Sequence, residues 1–137
     1  MADLTITAAN VVPVTGYSKT TGVAGATITA GQPVYIDTTD SNKMKACDVD
    51  ASVLAATVAG IALHGASNGQ PLSYITSGDI TIGATVAVGI HYVASDTAGG
   101  IMPIADLDSG DYVSRLGYGI STTQIRMDIK NLGLAFA

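Results

Sequence analysis

The sequence has 137 residues, a net charge of −5 at pH 7 and only 12% charged residues, which suits one domain and excludes the basic surface that nucleic-acid binding requires. Cys47 is the single cysteine, so an intrachain disulfide is excluded, and no stretch reads as a secretory signal or a membrane helix. We therefore expect a soluble protein that is made in a cytoplasm and, because so little of its surface is charged, contacts other proteins.

Residues 1–17 are predicted to form an N-terminal arm or edge strand. Residues 4–7 alternate like a strand, and residues 11–14 are an extended apolar run in which Pro13 excludes the middle of a sheet. Two arrangements are open: the arm closes its own barrel as a first edge strand, or it adds a strand to a neighbouring subunit. In the second arrangement its apolar side chains form a candidate partner interface: Leu4, Ile6, Val11, Val12 and Val14.

Residues 18–137 are predicted to form a single β-domain with an internal repeat. Residues 25–50 recur as residues 83–108 without a gap, and with a one-residue slip the repeats extend over 25–62 and 83–119. Eight of the 26 paired positions between 25–50 and 83–108 are identical: Gly25/Gly83, Ala26/Ala84, Thr27/Thr85, Gly31/Gly89, Thr39/Thr97, Met44/Met102, Asp48/Asp106 and Asp50/Asp108. Such a repeat predicts two copies of one strand-turn-strand unit that pack against each other.

Further strands, turns and one helix are predicted from the residue patterns of the remaining segments. We predict a loop at 17–25, strands at 58–63 and 71–76, a tight turn at 77–79, and a strand at 113–120. The one predicted helix lies near 50–57, where Asp50 offers an N-cap and Val53, Leu54 and Thr57 share a face.

The end of the chain gives the clearest strand. In residues 124–129, Ile125, Met127 and Ile129 alternate with Arg126 and Asp128, as in a half-buried antiparallel strand. The uncharged segment that follows is a candidate apolar docking tail, with Leu132, Leu134 and Phe136. The predicted fold class is all-β: a small antiparallel β-barrel or β-sandwich built from the two duplicated units.

Two motifs resemble chemical sites only superficially. Residues 65–69 match G-x-S-x-G around Ser67, next to His64, but a strand follows where the nucleophile elbow requires a helix. Residues 106–111 are rich in Asp, yet the chain has no Glu to complete a calcium loop of the EF-hand kind. We therefore expect no catalytic residue, metal, cofactor or small-molecule substrate, and the protein is predicted not to be an enzyme.

The same stretches carry a family resemblance. AGQPVYID, VAGIALHGASNGQPLSY and SDTAGGIMPIADLDSGDYVSRLG, with the closing alternating strand, resemble small structural proteins of tailed phages and prophages that are associated with the head. That group comprises capsid decoration (cement) and head-fibre-like proteins.

The resemblance implies a virion protein on the outer surface of the capsid, assembled in the host cytoplasm. It would be a homotrimer that clamps neighbouring major capsid proteins against internal DNA pressure. The alternatives are another virion module, in a tail, spike or head-fibre base, and a carbohydrate-binding module. The absence of Trp and the single Phe argue against the last.

Overall fold

The structure, a computed structural model that describes residues 3–136, contains ten β-strands, and 48% of the chain is strand. They form one sheet that curls into a half-barrel, which confirms the predicted all-β class. The strands are β1 Val11–Pro13, β2 Ser18–Val23, β3 Pro33–Asp37, β4 Lys43–Ala46, β5 Gly60–Ala62, β6 Pro71–Ile82, β7 His91–Ala94, β8 Ile101–Pro103, β9 Tyr112–Gly119 and β10 Gln124–Ala135. The predicted arm and β-domain also include residues 1, 2 and 137, which lie outside the described residues.

Strand β6 joins the two halves of the sheet. The strand order is β4-β3-β5-β6-β10-β9-β7-β8, and β1 and β2 also pair with β6. The first half of β6 pairs with β2 and β5, and the second half pairs with β1 and β10, all antiparallel.

The prediction of a tight turn at residues 77–79 is wrong, because strand β6 continues through these residues. Gly78 has a φ of +99°, and a Cβ there would lie 2.7 Å from the Cα of Tyr17. Glycine therefore bends the strand at a close backbone approach instead of ending it, as in a β-bulge.

The prediction of a loop at residues 17–25 is also wrong over most of its length, since β2 covers residues 18–23. Thr20 and Thr21 pair with Tyr74 and Ser73 of β6. Five of the six β2 residues are exposed. The strand therefore lacks the alternation of apolar and polar residues from which a strand can be predicted.

The two repeats make corresponding pairings. In the first, Pro33 faces Ile61 and Val34 faces Gly60. In the second, His91 faces Tyr118 and Tyr92 faces Gly117. Gly60 and Gly117 match because the next strand lies against each of them: an added Cβ would overlap the carbonyl oxygen of Ile75 in one repeat and of Arg126 in the other.

The largest core cluster lies between the halves. It combines Ile61 and Ile75 of the first half with Tyr92, Leu116 and Ile125 of the second. Smaller clusters lie within each half, and the identical repeat positions Met44 and Met102 are fully buried in them. Cys47 is buried in the main cluster as a small apolar residue, and burial raises the pKa of its thiol.

The helix predicted near residues 50–57 does not form, and the segment consists of turns. One helical hydrogen bond is made, from the N–H of Ala56 to the carbonyl of Ser52, and the hydroxyl of Ser52 accepts the N–H of Ala55. A single turn does not recover the cost of helix nucleation. The N–H and C=O of Val58 instead bond to the side chain of Asn131.

Candidate interaction surface

The last strand, β10, changes character halfway along its length. Ile125 and Met127 are buried, which confirms the predicted half-buried strand, but β10 continues to Ala135. From residue 130 to 136 every residue is exposed, without alternation. We call residues 128–135 the tail strand. Three large apolar side chains of this region face solvent: Leu132 is 57%, Leu134 68% and Phe136 45% exposed.

The backbone of the tail strand is held even though its side chains are not covered. Asn131 bonds twice to the backbone of Val58, with its Nδ2 donating at 3.0 Å and its Oδ1 accepting at 3.0 Å. The N–H of Phe136 donates to the carbonyl of Asp111 at 2.7 Å, and the carbonyl of Phe136 accepts the N–H of Gly110. The exposed apolar side chains therefore belong to a strand that hydrogen bonds hold in place.

A shallow groove of about 280 Å³ adjoins the tail strand. It is lined by three apolar residues, Ile104, Val113 and Leu132, and by Arg115 and Lys130. Arg115 forms an ion pair with Asp128 at 2.6 Å. The sequence pointed to Leu132 but not to Ile104, which follows Pro103 in a 3-10 turn with no periodic pattern to mark it.

The N-terminal arm lies on its own chain. The N–H of Leu4 donates to the carbonyl of Ile101 at 2.8 Å, and Leu4 and Ile6 pack against the main core. Residues 4–7 are not a strand, contrary to their alternation, but Val11–Pro13 pairs with β6. In the single chain, β1 is therefore an edge strand on the chain's own β6, and exchange of the arm with a neighbouring subunit stays a prediction.

The five candidate side chains of the arm are not equivalent in exposure. Leu4, Ile6 and Val14 are half-buried and Val11 is buried, whereas Val12 is 54% exposed. Only Val12 among them is more than half exposed to solvent.

Ser67 and His64 do not form a catalytic pair. The Nδ1 of His64 bonds to the carbonyl of Gly65 at 2.9 Å, and its Nε2 accepts the N–H of Ser73 at 3.0 Å. The N–H of Ser67 bonds to the side chain of Gln70, which closes the turn. Both ring nitrogens of His64 are therefore committed to backbone groups, and neither bonds to Ser67.

Acidic side chains from both repeats meet on one side of the molecule. Carboxylate oxygens of Asp50, Asp96 and Asp111 lie within 4.8 Å of one another. Burial, and then its contact with Asp50, raises the pKa of the adjacent Asp48 to about 6. Burial likewise raises the pKa of Asp111. The cluster is an electrostatic cost at neutral pH, and its turns are held by Asp side chains that cap backbone N–H groups.

A second shallow groove, of about 370 Å³, lies beside the arm. It is lined largely by threonines: Thr5, Thr7, Thr81, Thr85 and Thr123. It has no aromatic lining residue on which a sugar ring could stack, so it does not favour the carbohydrate-binding alternative.

No protein-family model matches the chain, and no curated protein matches it significantly. No helix within residues 3–136 is long and apolar enough to cross a membrane.

Proposed function

We propose that this protein is a structural virion protein that binds the outer surface of a phage capsid and stabilises it. Its partner is the major capsid protein, and its working form is a homotrimer. It performs no bond-making or bond-breaking step. The sequence resemblance to head-associated phage proteins motivates this proposal.

The exposed tail strand is the observation that carries the proposal. Scattered apolar side chains are ordinary on a protein surface, but Leu132 and Leu134 are exposed two residues apart on one strand, and Leu132 lines a groove together with Ile104 and Val113. Exposed apolar side chains concentrated on one strand beside an apolar groove favour a protein-contact site. The anchored backbone lowers the entropy lost on binding, because the strand is already ordered.

The charged groups support a structural role as well. Lys45 bonds to Asp37 at 2.8 Å and Asp40 at 3.1 Å, and these contacts hold the turn between β3 and β4. Arg126 pairs with Asp79 across β10 and β6. These charges stabilise the fold itself. A protein repeated over a capsid lattice needs only modest affinity at each contact, because many contacts add up.

Binding to capsids tests the proposal. Purified protein is mixed with expanded capsids that lack it, with unexpanded capsids and with free capsid subunits, and each mixture is sedimented. We expect saturable binding to expanded capsids alone, and a higher temperature for capsid disruption after binding. Absence of binding to expanded capsids from the cognate phage would refute the proposal.

A further inference from the structure

Strands β6 and β10 occupy equivalent places after the two repeats. Ala62 faces Tyr74 in the first unit as Gly119 faces Ile125 in the second. The hydrogen bond from the N–H of Leu63 to the carbonyl of Ser73 measures 3.0 Å. Its counterpart, from Ile120 to Gln124, also measures 3.0 Å.

Both strands run on beyond their own unit. By this correspondence, residues 78–82 of β6 match residues 129–133 of β10. The extension of β6 is covered on both edges, since it pairs with β10 on one side and with β1 on the other. Its apolar side chains Ile80 and Ile82 are fully buried.

The extension of β10 has no such cover. Within residues 3–136, the tail strand pairs with β9 along one edge, and no strand pairs with the other. In the same alignment Leu132 matches Thr81, and Leu134 lies one residue past the aligned stretch; both leucines are mostly exposed. An unpaired strand edge is a template on which another chain can add a strand.

We infer that a second copy of this chain docks on the tail strand, adding a strand to its free edge and covering Leu132 and Leu134. One edge of the extension of β6 is covered by β10, which belongs to the unit that follows, and the other edge is covered by β1 of the arm. Another copy of this chain carries a unit of the same kind, with which it would cover the extension of β10 in the same way. The inference deepens the proposed function, since it names the contact through which copies assemble, but it can be tested without a capsid.

The association state of two matched variants tests the inference. Leu134 and Val88 are both 68% exposed, but Val88 lies in the loop before β7, away from the tail strand in sequence. Wild type, Leu134→Asp and Val88→Asp are compared by sedimentation equilibrium over a range of concentrations. We expect wild type and Val88→Asp to form oligomers, and Leu134→Asp to dissociate with a dissociation constant raised about tenfold or more.

Amide hydrogen exchange gives a second readout. Amides of residues 128–135 should exchange more slowly in the wild-type oligomer than in Leu134→Asp, while those of β3 and β4 should be unchanged. A wild type that stays monomeric at all concentrations overturns the inference, as does dissociation caused by Val88→Asp and not by Leu134→Asp.

The capsid assay separates this inference from the proposed function. If wild type is monomeric and Leu134→Asp no longer binds capsids, the tail strand contacts the shell and not a second copy, so this inference fails and the proposed function stands. If wild type oligomerises through the tail strand but does not bind expanded capsids, the proposed function fails and this inference stands.

Discussion

At the scale of single residues, the aspartates show most directly how the local surroundings change the pKa of a side chain. Asp37 accepts hydrogen bonds from Lys45 and Thr39, and these bonds lower its pKa to about 2. Asp48 lies in a half-buried turn near Asp50, and burial is the main cause that raises its pKa to about 6. The same residue type therefore stabilises the fold at neutral pH in one turn and destabilises it in the other.

Replacing Asp48 by Asn should raise the melting temperature at pH 8. The folded-state pKa of Asp48 is above its ordinary value of 3.8, so the unfolded state loses the proton first as pH rises. The cost to stability grows between the two pKa values and is complete above about pH 6. The gain from Asp48→Asn should therefore vanish below pH 4, as measured by thermal unfolding across that range. An equal gain at every pH would contradict the assignment.

At the scale of elements, β10 both stabilises the fold and carries the proposed contact surface. Asn131 satisfies both backbone groups of Val58, which is only 4% exposed, and so joins the tail strand to the segment before β5. Asparagine can do this because its side-chain amide carries both a donor and an acceptor.

Asn131→Ala should destabilise the protein by about 2 kcal/mol, because it leaves a buried N–H and C=O without partners. Asn68→Ala, in the exposed turn before β6, is the matched control and should change stability by less than about 0.5 kcal/mol. Urea unfolding of both variants gives the comparison. Equal stability of Asn131→Ala and wild type would show that water replaces these bonds.

Sequence patterns predicted the strands where side chains alternate or where the repeat imposes them. The strand at 124–129 and the hairpin strands β3, β4, β7 and β8 are such cases. They did not predict β2, because its exposed residues carry no apolar pattern, nor the continuity of β6, because Gly78 bends a strand as readily as it ends one. The tail was predicted as a docking segment, but the groove beside it depends on Ile104 and Val113, which only the fold brings together.

At the scale of the whole molecule, two similar units share one long strand and bury their largest core between them. The arrangement uses β6 as the last strand of one unit and a covered strand of the next, and within residues 3–136 it leaves one edge of the tail strand unpaired. A tandem unit with an unpaired strand edge is suited to assembly with further copies, since each added copy buries apolar surface that the single chain exposes.

The location of the protein in an intact particle tests the central claim most directly. A cryo-electron microscopy reconstruction of the phage head should contain density that fits residues 3–136 on the outer surface, in contact with neighbouring major capsid proteins around a symmetry axis. The tail strand should lie against another copy. Density for the chain in the tail or spike, or virions that lack the protein altogether, would contradict the account.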